Sequence, residues 1–446
     1  MPVKDEQPFL DAILARYHDD GLRIIYADFL DDAGEPERAE FVRLQVALAR
    51  MTEDNPRRAE LANREQDLRR LHAAEWSRHL SDLVADCDFR RGVLDSVVLD
   101  AAHFLVVGEE LFERVPLRRV RLRKCGAVLD RLIQSPLLAR IRELDLCDND
   151  LGNSGVKQLT ASPHFKALDS LDLALNGIDD AGVKALARAS SLPGMTSLSL
   201  SVNNSITSAG VMELAESPFL SRLIALDLSG NDVDEAGVRA VVSSKTLVSL
   251  QSLRISDNPI GDGGVAALAQ SELLSRLFAR TTRLELRGNL IGSDGVRALA
   301  ASPSASRCIA LDLTHNSIGD AGLAAVVDSP QFANLRVLKA GKNQITDAGV
   351  VALRASWPRV FSAYRALDLS ENLMTNYGSR MLQDFNKLGA VMLDLSRNVL
   401  PSMGAEGALA DSEAAAGQAD VDEMAELRRR VSHPNLRAGN RPGEGN

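Results

Sequence analysis

Residues 311–326 read LDLTHNSIGDAGLAAV, and residues 171–186 read LDLALNGIDDAGVKAL. Superposed on Asn316 and Asn176, both give L-x-L-x-x-N, then an aliphatic residue, an acidic one and Ala-Gly-aliphatic. The same unit is centred on Asn149, Asn176, Asn203, Asn231, Asn258, Asn289, Asn316, Asn343, Asn372 and Asn398. The steps run 26 to 28 residues, except for one of 31 and one of 29. A period near 27 means a solenoid, because one unit is too small to bury its apolar face and must stack on the next.

Within each unit the alternating leucines predict a short strand with both Leu side chains on one face. Asn both donates and accepts, so a column of Asn side chains can satisfy backbone groups that leave the strand ladder at a sharp corner. Four residues on comes a column of Asn153, Asp180, Glu235, Asp262, Ser293, Asp320, Asp347 and Asn376, mostly types that accept from the free N–H groups opening a helix. Six residues past Asn comes Gly, from Gly155 and Gly182 to Gly378 and Gly404, displaced by one at Gly210. A missing Cβ there predicts close approach of each helix to the neighbouring turn. The expected fold is α/β: a curved solenoid with parallel strands on the concave side and helices on the convex side.

At this point the chain resembles the leucine-rich repeat family, in its ribonuclease-inhibitor-like class of long repeats with a convex helix. The likeness runs from Leu117 to about Leu400. Leu117-Arg-Arg-Val120-Arg-Leu122-Arg-Lys-Cys125 looks like an earlier unit with Cys in the Asn place, and Leu94 to Leu99 like a degenerate first turn. The last two units lose the Val after Gly, at Ser379 and Ala405, as expected where a stack ends. The resemblance implies a horseshoe that binds other proteins.

The 446 residues are 45% hydrophobic but only 4% aromatic, which suits stacked Leu, Val and Ala better than a single globular centre. No run of about 20 apolar residues is present, so no membrane span is expected. MPVKDEQPFL lacks the basic start and apolar stretch of a secretory signal. Cys87, Cys125, Cys147 and Cys308 have no metal or disulfide spacing, and a reducing cytoplasm is the expected location. A net charge of −10 argues against a nucleic-acid partner, which wants a basic face.

Residues 5 to about 85 lack the repeat and read as helices, with Gly21 and Gly34 as breaks and Pro36 at a helix start. Arg23-Ile-Ile-Tyr-Ala-Asp-Phe-Leu-Asp-Asp32, Gly34-Glu-Pro-Glu-Arg-Ala-Glu-Phe-Val-Arg-Leu-Gln45 and Ala74-Glu-Trp76 resemble the bacterial repeat-companion domain, a helical module found ahead of repeat arrays. Phe89-Arg-Arg-Gly92 through Asp100 is similar to that family's bridge into its repeats. That likeness implies an architecture and no activity. The expected division is a helical domain over 1–88, the solenoid over 89–401 with degenerate first turns, and a mostly disordered tail over 402–446, whose DEMAELRRRV stretch has helical character.

The first candidate site is the concave face. The residue between the two leucines points away from the core, giving a column of Asp145, Asp172, Ser199, Asp227, Arg254, Glu285, Asp312, Lys339, Asp368 and Asp394. Seven of these are acidic, a ladder on the order of 45 Å long at the usual strand spacing. Like charges so close repel, and a basic protein partner would relieve them. The alternative is that these residues merely keep an exposed strand soluble. Arg254, Arg283 and Arg287 interrupt the column, either to read an acidic group or to pair with Glu285 and Asp257.

Two irregular turns, the 31-residue step and the extra Asn204, are the second candidate, either as contact loops or as surface drift. The group Asp28, Asp31, Asp32 and Glu35 lacks the alternating ligands of a calcium loop, and His72 and His79 lack a third metal ligand. No phosphate loop, G-x-S-x-G, H-E-x-x-H or C-x-x-C occurs, so neither catalytic residues nor a metal or cofactor is expected. The reading is a non-enzymatic scaffold, adaptor or inhibitor that recognises a protein on its concave face. Two other classes remain open: a regulator of an enzyme in trans, of GTPase-activator or nuclease-inhibitor type, and an architectural spacer.

Overall fold

The computed structural model describes residues 5–51, 55, 57–356, 364–385 and 391–398. Four helices come first: α1 (Gln7–Ala15), α2 (Asp20–Asp32), α3 (Pro36–Arg50) and α4 (Arg58–Trp76). A hairpin follows, β1 (Asp86–Arg90) antiparallel to β2 (Val93–Asp100). β2 pairs in parallel with β3 (Arg119–Arg123), so the stretch around Leu94–Leu99 is the first strand of the array. The helical region thus shares a hairpin with the solenoid, and the expected 88/89 boundary falls inside β1.

Ten three-residue strands continue the stack: β4 (Glu143–Asp145), β5 (Ser170–Asp172), β6 (Ser197–Ser199), β7 (Ala225–Asp227), β8 (Ser252–Arg254), β9 (Arg283–Glu285), β10 (Ala310–Asp312), β11 (Val337–Lys339), β12 (Ala366–Asp368) and β13 (Met392–Asp394). They form one sheet from β1 to β8 and a second from β9 to β13. From β2 onward, strands within each sheet are parallel and in register, and from β4 leucine lies on leucine. Helices of 8 to 10 residues, such as Asp180–Ala187 and Gly319–Asp328, lie on the other side of the core.

Every repeat asparagine is buried, at 8% exposure or less. Asn176 shows why. Its Nδ2 donates to Ala174 O in its own turn and to Leu146 O in the preceding one, both at 2.9 Å. Its Oδ1 accepts from the Asn149 and Leu151 N–H groups, both at 3.2 Å. Asn203, Asn316 and Asn372 repeat the pattern. Cys125 takes this place in the first corner. Its N–H still donates to Asn149 Oδ1 at 2.8 Å. The turn before it runs from Asp100 straight into the helix Ala101–Arg114, so there is no earlier corner to satisfy.

The acidic column four residues past Asn does something else than expected. The helix caps sit one residue earlier, where Asp179, Thr207 and Asp234 accept from the N–H two residues on. The column itself reaches forward to the next turn. Asp180 accepts from Thr207 N and Gly210 N, and Asp262 from Gly292 N and Gly295 N. Asp320 and Asp347 likewise bond Thr346 and Thr375. Each carboxylate therefore opens the following helix, favourable both as a hydrogen bond and against the helix dipole. The Gly column is the counterpart: a Cβ on Gly210, Gly295, Gly349 or Gly378 would collide with that carboxylate oxygen.

A third ladder closes the helices. Ser162, Ser217, Ser244, Ser302 and Ser329 donate Oγ–H to a carbonyl at the C-terminal end of the preceding turn's helix segment, at 2.5–2.6 Å. Four of the five are followed by Pro, which cannot continue a helix.

The helical region packs on the first turns. Phe41, Trp76 and Phe89 form an aromatic cluster with centroids 5.1–6.0 Å apart. The Arg23 and Arg118 guanidiniums lie 4.8 and 4.4 Å from the Tyr17 ring, whose hydroxyl donates to Asp95 on β2. Asp95 is 1% exposed, and burial pushes its carboxyl up to about 6. The group Asp28, Asp31, Asp32 and Glu35 is no open cation site, because Arg43 bridges Asp28 and Asp31 at 2.6 and 2.7 Å. His72 stacks on Trp76. The expected tail, residues 402–446, lies outside the described residues.

Two predictions follow from these contacts. Asn176→Ala strips partners from two buried N–H groups and two carbonyls, so it should cost about 2–4 kcal/mol. Asn231, whose Oδ1 has no partner, should cost about 1 kcal/mol less as Asn231→Ala, read as the shift in denaturation midpoint. Asp95 has its folded pKa raised, so its contribution is fully present below the unfolded pKa and is lost as pH rises through about 6. Asp95→Asn keeps an acceptor for Tyr17 and should stabilise by about 1–3 kcal/mol at pH 7.5, an advantage that vanishes near pH 4. An equal gain at both pH values would refute the burial argument.

Candidate functional site on the concave face

In-register pairing places the middle residues side by side. Asp145, Asp172, Ser199, Asp227 and Arg254 are consecutive on β4 to β8, and Glu285, Asp312, Lys339, Asp368 and Asp394 on β9 to β13. The carboxylates are not simply presented to solvent. Asp145, Asp172, Asp227, Asp312, Asp368 and Asp394 each accept from the N–H two residues on, at 2.9–3.0 Å. These bonds tie down the strand exit just before the asparagine corner. Asp, one methylene shorter than Glu, closes such a ring readily. Asp145 is 5% exposed, so its carboxylate faces other side chains more than water.

The charges also pair along the face. Arg119 reaches Asp145 at 3.3 Å, Arg254 reaches both Asp227 at 3.5 Å and Glu285 at 3.7 Å, and Lys339 reaches Asp312 at 3.4 Å. Arg287 lies 3.8 Å from Asp257. Arg254 therefore spans the gap where the two sheets part. Counting the flanking positions divides the face into blocks. β3 brings Arg119, Arg121 and Arg123; Arg121, between Val120 and Leu122, continues the middle-residue column one turn before Asp145, with which it pairs in register. β8 to β11 and their exits mix Arg254, Arg283, Arg287, His315, Lys339 and Lys342 with Asp257, Glu285 and Asp312. β4 to β7 present carboxylates without basic side chains of their own, as do β12 and β13 with Asp368 and Asp394, although Arg119 of β3 reaches across to Asp145.

The floor of the β4 to β7 block is small. Ser170, Ser197 and Ser199 leave a depression of about 120 Å³ bounded by Arg119, Glu143, Asp145 and Asp172. Burial, and after it the neighbouring Asp145 charge, raise the Asp172 carboxyl above the ordinary range, while the Ala174 N–H opposes the shift. A cation placed there would replace repulsion by attraction. Cys147, at the rim, is a poor nucleophile: burial and Asp172 and Asp145 push its thiol up to about 11. Among the described residues, no cluster of three or more His, Cys, Asp or Glu could hold a metal.

The irregular turns alter the array from within. The 31-residue step adds a helix, Glu272–Arg280, whose Leu273, Leu274, Leu277 and Phe278 are buried. It sits between β8 and β9, where the sheet divides. Each irregularity interrupts the asparagine column: Asn231 Oδ1, after the extra Asn204, and Asn289 Nδ2, after the long step, have no hydrogen-bond partner.

The Leucine Rich repeat family model matches residues 141–159, 166–187, 246–269, 282–300 and 309–327. No curated protein matches the sequence. Among solved structures, an internalin of Listeria monocytogenes is 17% identical, with a TM-score of 0.32, over 56% of this chain and 78% of its own. The leucine-rich-repeat ectodomain of the Arabidopsis receptor kinase HAESA, solved with a peptide hormone ligand, is 17% identical with a TM-score of 0.31. That likeness covers 54% of this chain and 36% of the receptor chain. With strand, asparagine corner and helix repeated through parallel sheets, the chain is a leucine-rich-repeat solenoid preceded by a small all-helical region.

Proposed function

We propose that this solenoid recognises a protein on its concave face, and that the contact centres on β4 to β7, where a basic segment of the partner is received. The observation that carries this reading is the depression at Asp145 and Asp172: a serine floor, two neighbouring carboxylates and one of them raised by burial and repulsion. A partner Lys or Arg side chain there recovers electrostatic energy, and a stacked array orders little on binding. The serines leave room for a backbone to approach. On this proposal the chain is a scaffold, adaptor or inhibitor of the ribonuclease-inhibitor-like class, and the helices ahead of it are a repeat-companion domain capping its first turn. The convex helices of 8–10 residues and the Phe41–Trp76–Phe89 contact favour that assignment.

The turn bonds dictate the test, because replacing Asp by Lys or Ala removes a structural acceptor together with the charge. Asp172→Asn with Asp227→Asn keeps the Oδ1 that accepts from Ala174 and Ser229 and removes only charge. Its melting temperature should stay within a few degrees of wild type, whereas the paired Ala variant should lose about 1–2 kcal/mol. Crosslinking capture from soluble cell extract should then fall severalfold for the folded Asn variant. Undiminished capture of the same partner would remove the concave face from consideration and leave the helical region as the docking surface.

A further inference from the structure

A second concavity lies away from the strands, in the side wall where the α1–α2 corner meets the first repeats. It encloses about 660 Å³. Its apolar floor includes Leu14, 40% exposed, and Phe112, whose ring lies 4.2 Å from the Arg140 guanidinium. Arg16, Arg118, Arg140 and Arg142 line it, against Asp19 and Asp169. Arg118 is committed to Glu143 and Asp169. The other three are held loosely. Arg16 is 3.7 Å from Asp19, Arg140 pairs with the exposed Glu109, and Arg142 donates to the Ala167 carbonyl. Exposed pairs of this kind contribute little and exchange readily for a better acceptor.

We propose that this cleft is occupied in cis by the chain's own acidic stretch, residues 406–426. That stretch carries Glu406, Asp411, Glu413, Asp420, Asp422, Glu423 and Glu426 with no Lys or Arg, and intersperses Leu409, Val421 and Met424. Carboxylates for three loosely held guanidiniums and aliphatic side chains for a Leu–Phe floor are complementary in both respects. The tether is long enough. The nine strand steps from β4 to β13 span about 43 Å, and the 15 residues from Asn398 to Glu413 reach about 50 Å extended. The rest of the stretch extends that reach round the edge of the array. Bound there, the stretch bridges the helical region and the first repeats and couples the two ends of the chain.

The test places a photo-crosslinking benzoylphenylalanine at the exposed Ala139 of the full-length protein, with irradiation at low micromolar concentration and peptide mapping. The expected product has the mass of a monomer, joins position 139 to residues 406–426, and falls at least fivefold in 0.5 M salt or with Arg16→Glu and Arg140→Glu. The same label at Leu14 provides a second vantage point if the first variant melts early. Crosslinks confined to residues 5–398, or a yield indifferent to salt and charge reversal, would overturn the proposal. A dimeric product that grows with concentration would overturn it too, assigning the cleft to the stretch of a second copy.

Discussion

The amide of one buried asparagine per turn, bonded at once to its own turn and to the one before, is the constraint on which the rest of the molecule depends. A three-residue strand cannot hold a corner by itself. The chain must reverse out of the sheet while its N–H and C=O groups are already buried, and an unpaired backbone group there costs as much as a lost hydrogen bond. Asn supplies two donors and an acceptor in the length available. The leucine spacing, the in-register strands and the alignment of the concave column are all set by where that side chain can reach. Where extra residues enter the turns after Asn203 and Asn258 the amide column loses a bond, whereas the 29-residue step after Asn343 keeps its bonds.

Two further polar columns divide the same task along the helices. Asp180, Asp262, Asp320 and Asp347 open the helix of the next turn, and Ser162, Ser217, Ser302 and Ser329 close that of the previous one. Hydrophobic burial gives the array most of its stability and opposes a slip that would turn the leucines outward, but it is non-directional. The bonds at three points per turn are directional and fix the corners as well. The concave aspartates belong partly to this system, since six of them fasten the strand exit. Their negative charge is available to a partner only as a second use of a group the fold already needs.

Much of this was legible in the residues. L-x-L and Asn recur because each turn must satisfy the same corner, and Gly six residues later marks a contact that no Cβ allows. The acidic column is visible in the sequence, but its partner is not: capping rules look within one helix, whereas Asp180 bonds Thr207 and Gly210, 27 and 30 residues on. The serine column carries a signal, the recurring Ser-Pro at Ser162, Ser217, Ser302 and Ser329, but nothing local to it names the carbonyl one turn back. Alternation along a strand gives the side to which Asp172 points. It does not reveal that the carboxylate folds back onto Ala174 N–H, though the preference for Asp over Glu at six of seven acidic positions was the clue. Nor does a column begun at Asp145 register Arg121, one turn earlier, or the flanking Arg119 and Arg123, which divide the acidic ladder into blocks of charge.

The direction in which the asparagine bonds run has a consequence for how the chain is made. Asn176 Oδ1 accepts from the N–H groups of Asn149 and Leu151, so a corner is completed by the turn synthesised after it. On the ribosome, each emerging corner waits for some 27 further residues, a delay of a few seconds at ordinary rates of elongation. The array therefore grows like a zipper whose newest tooth is always open, and the vulnerable species during synthesis is the single unfinished turn at its trailing end.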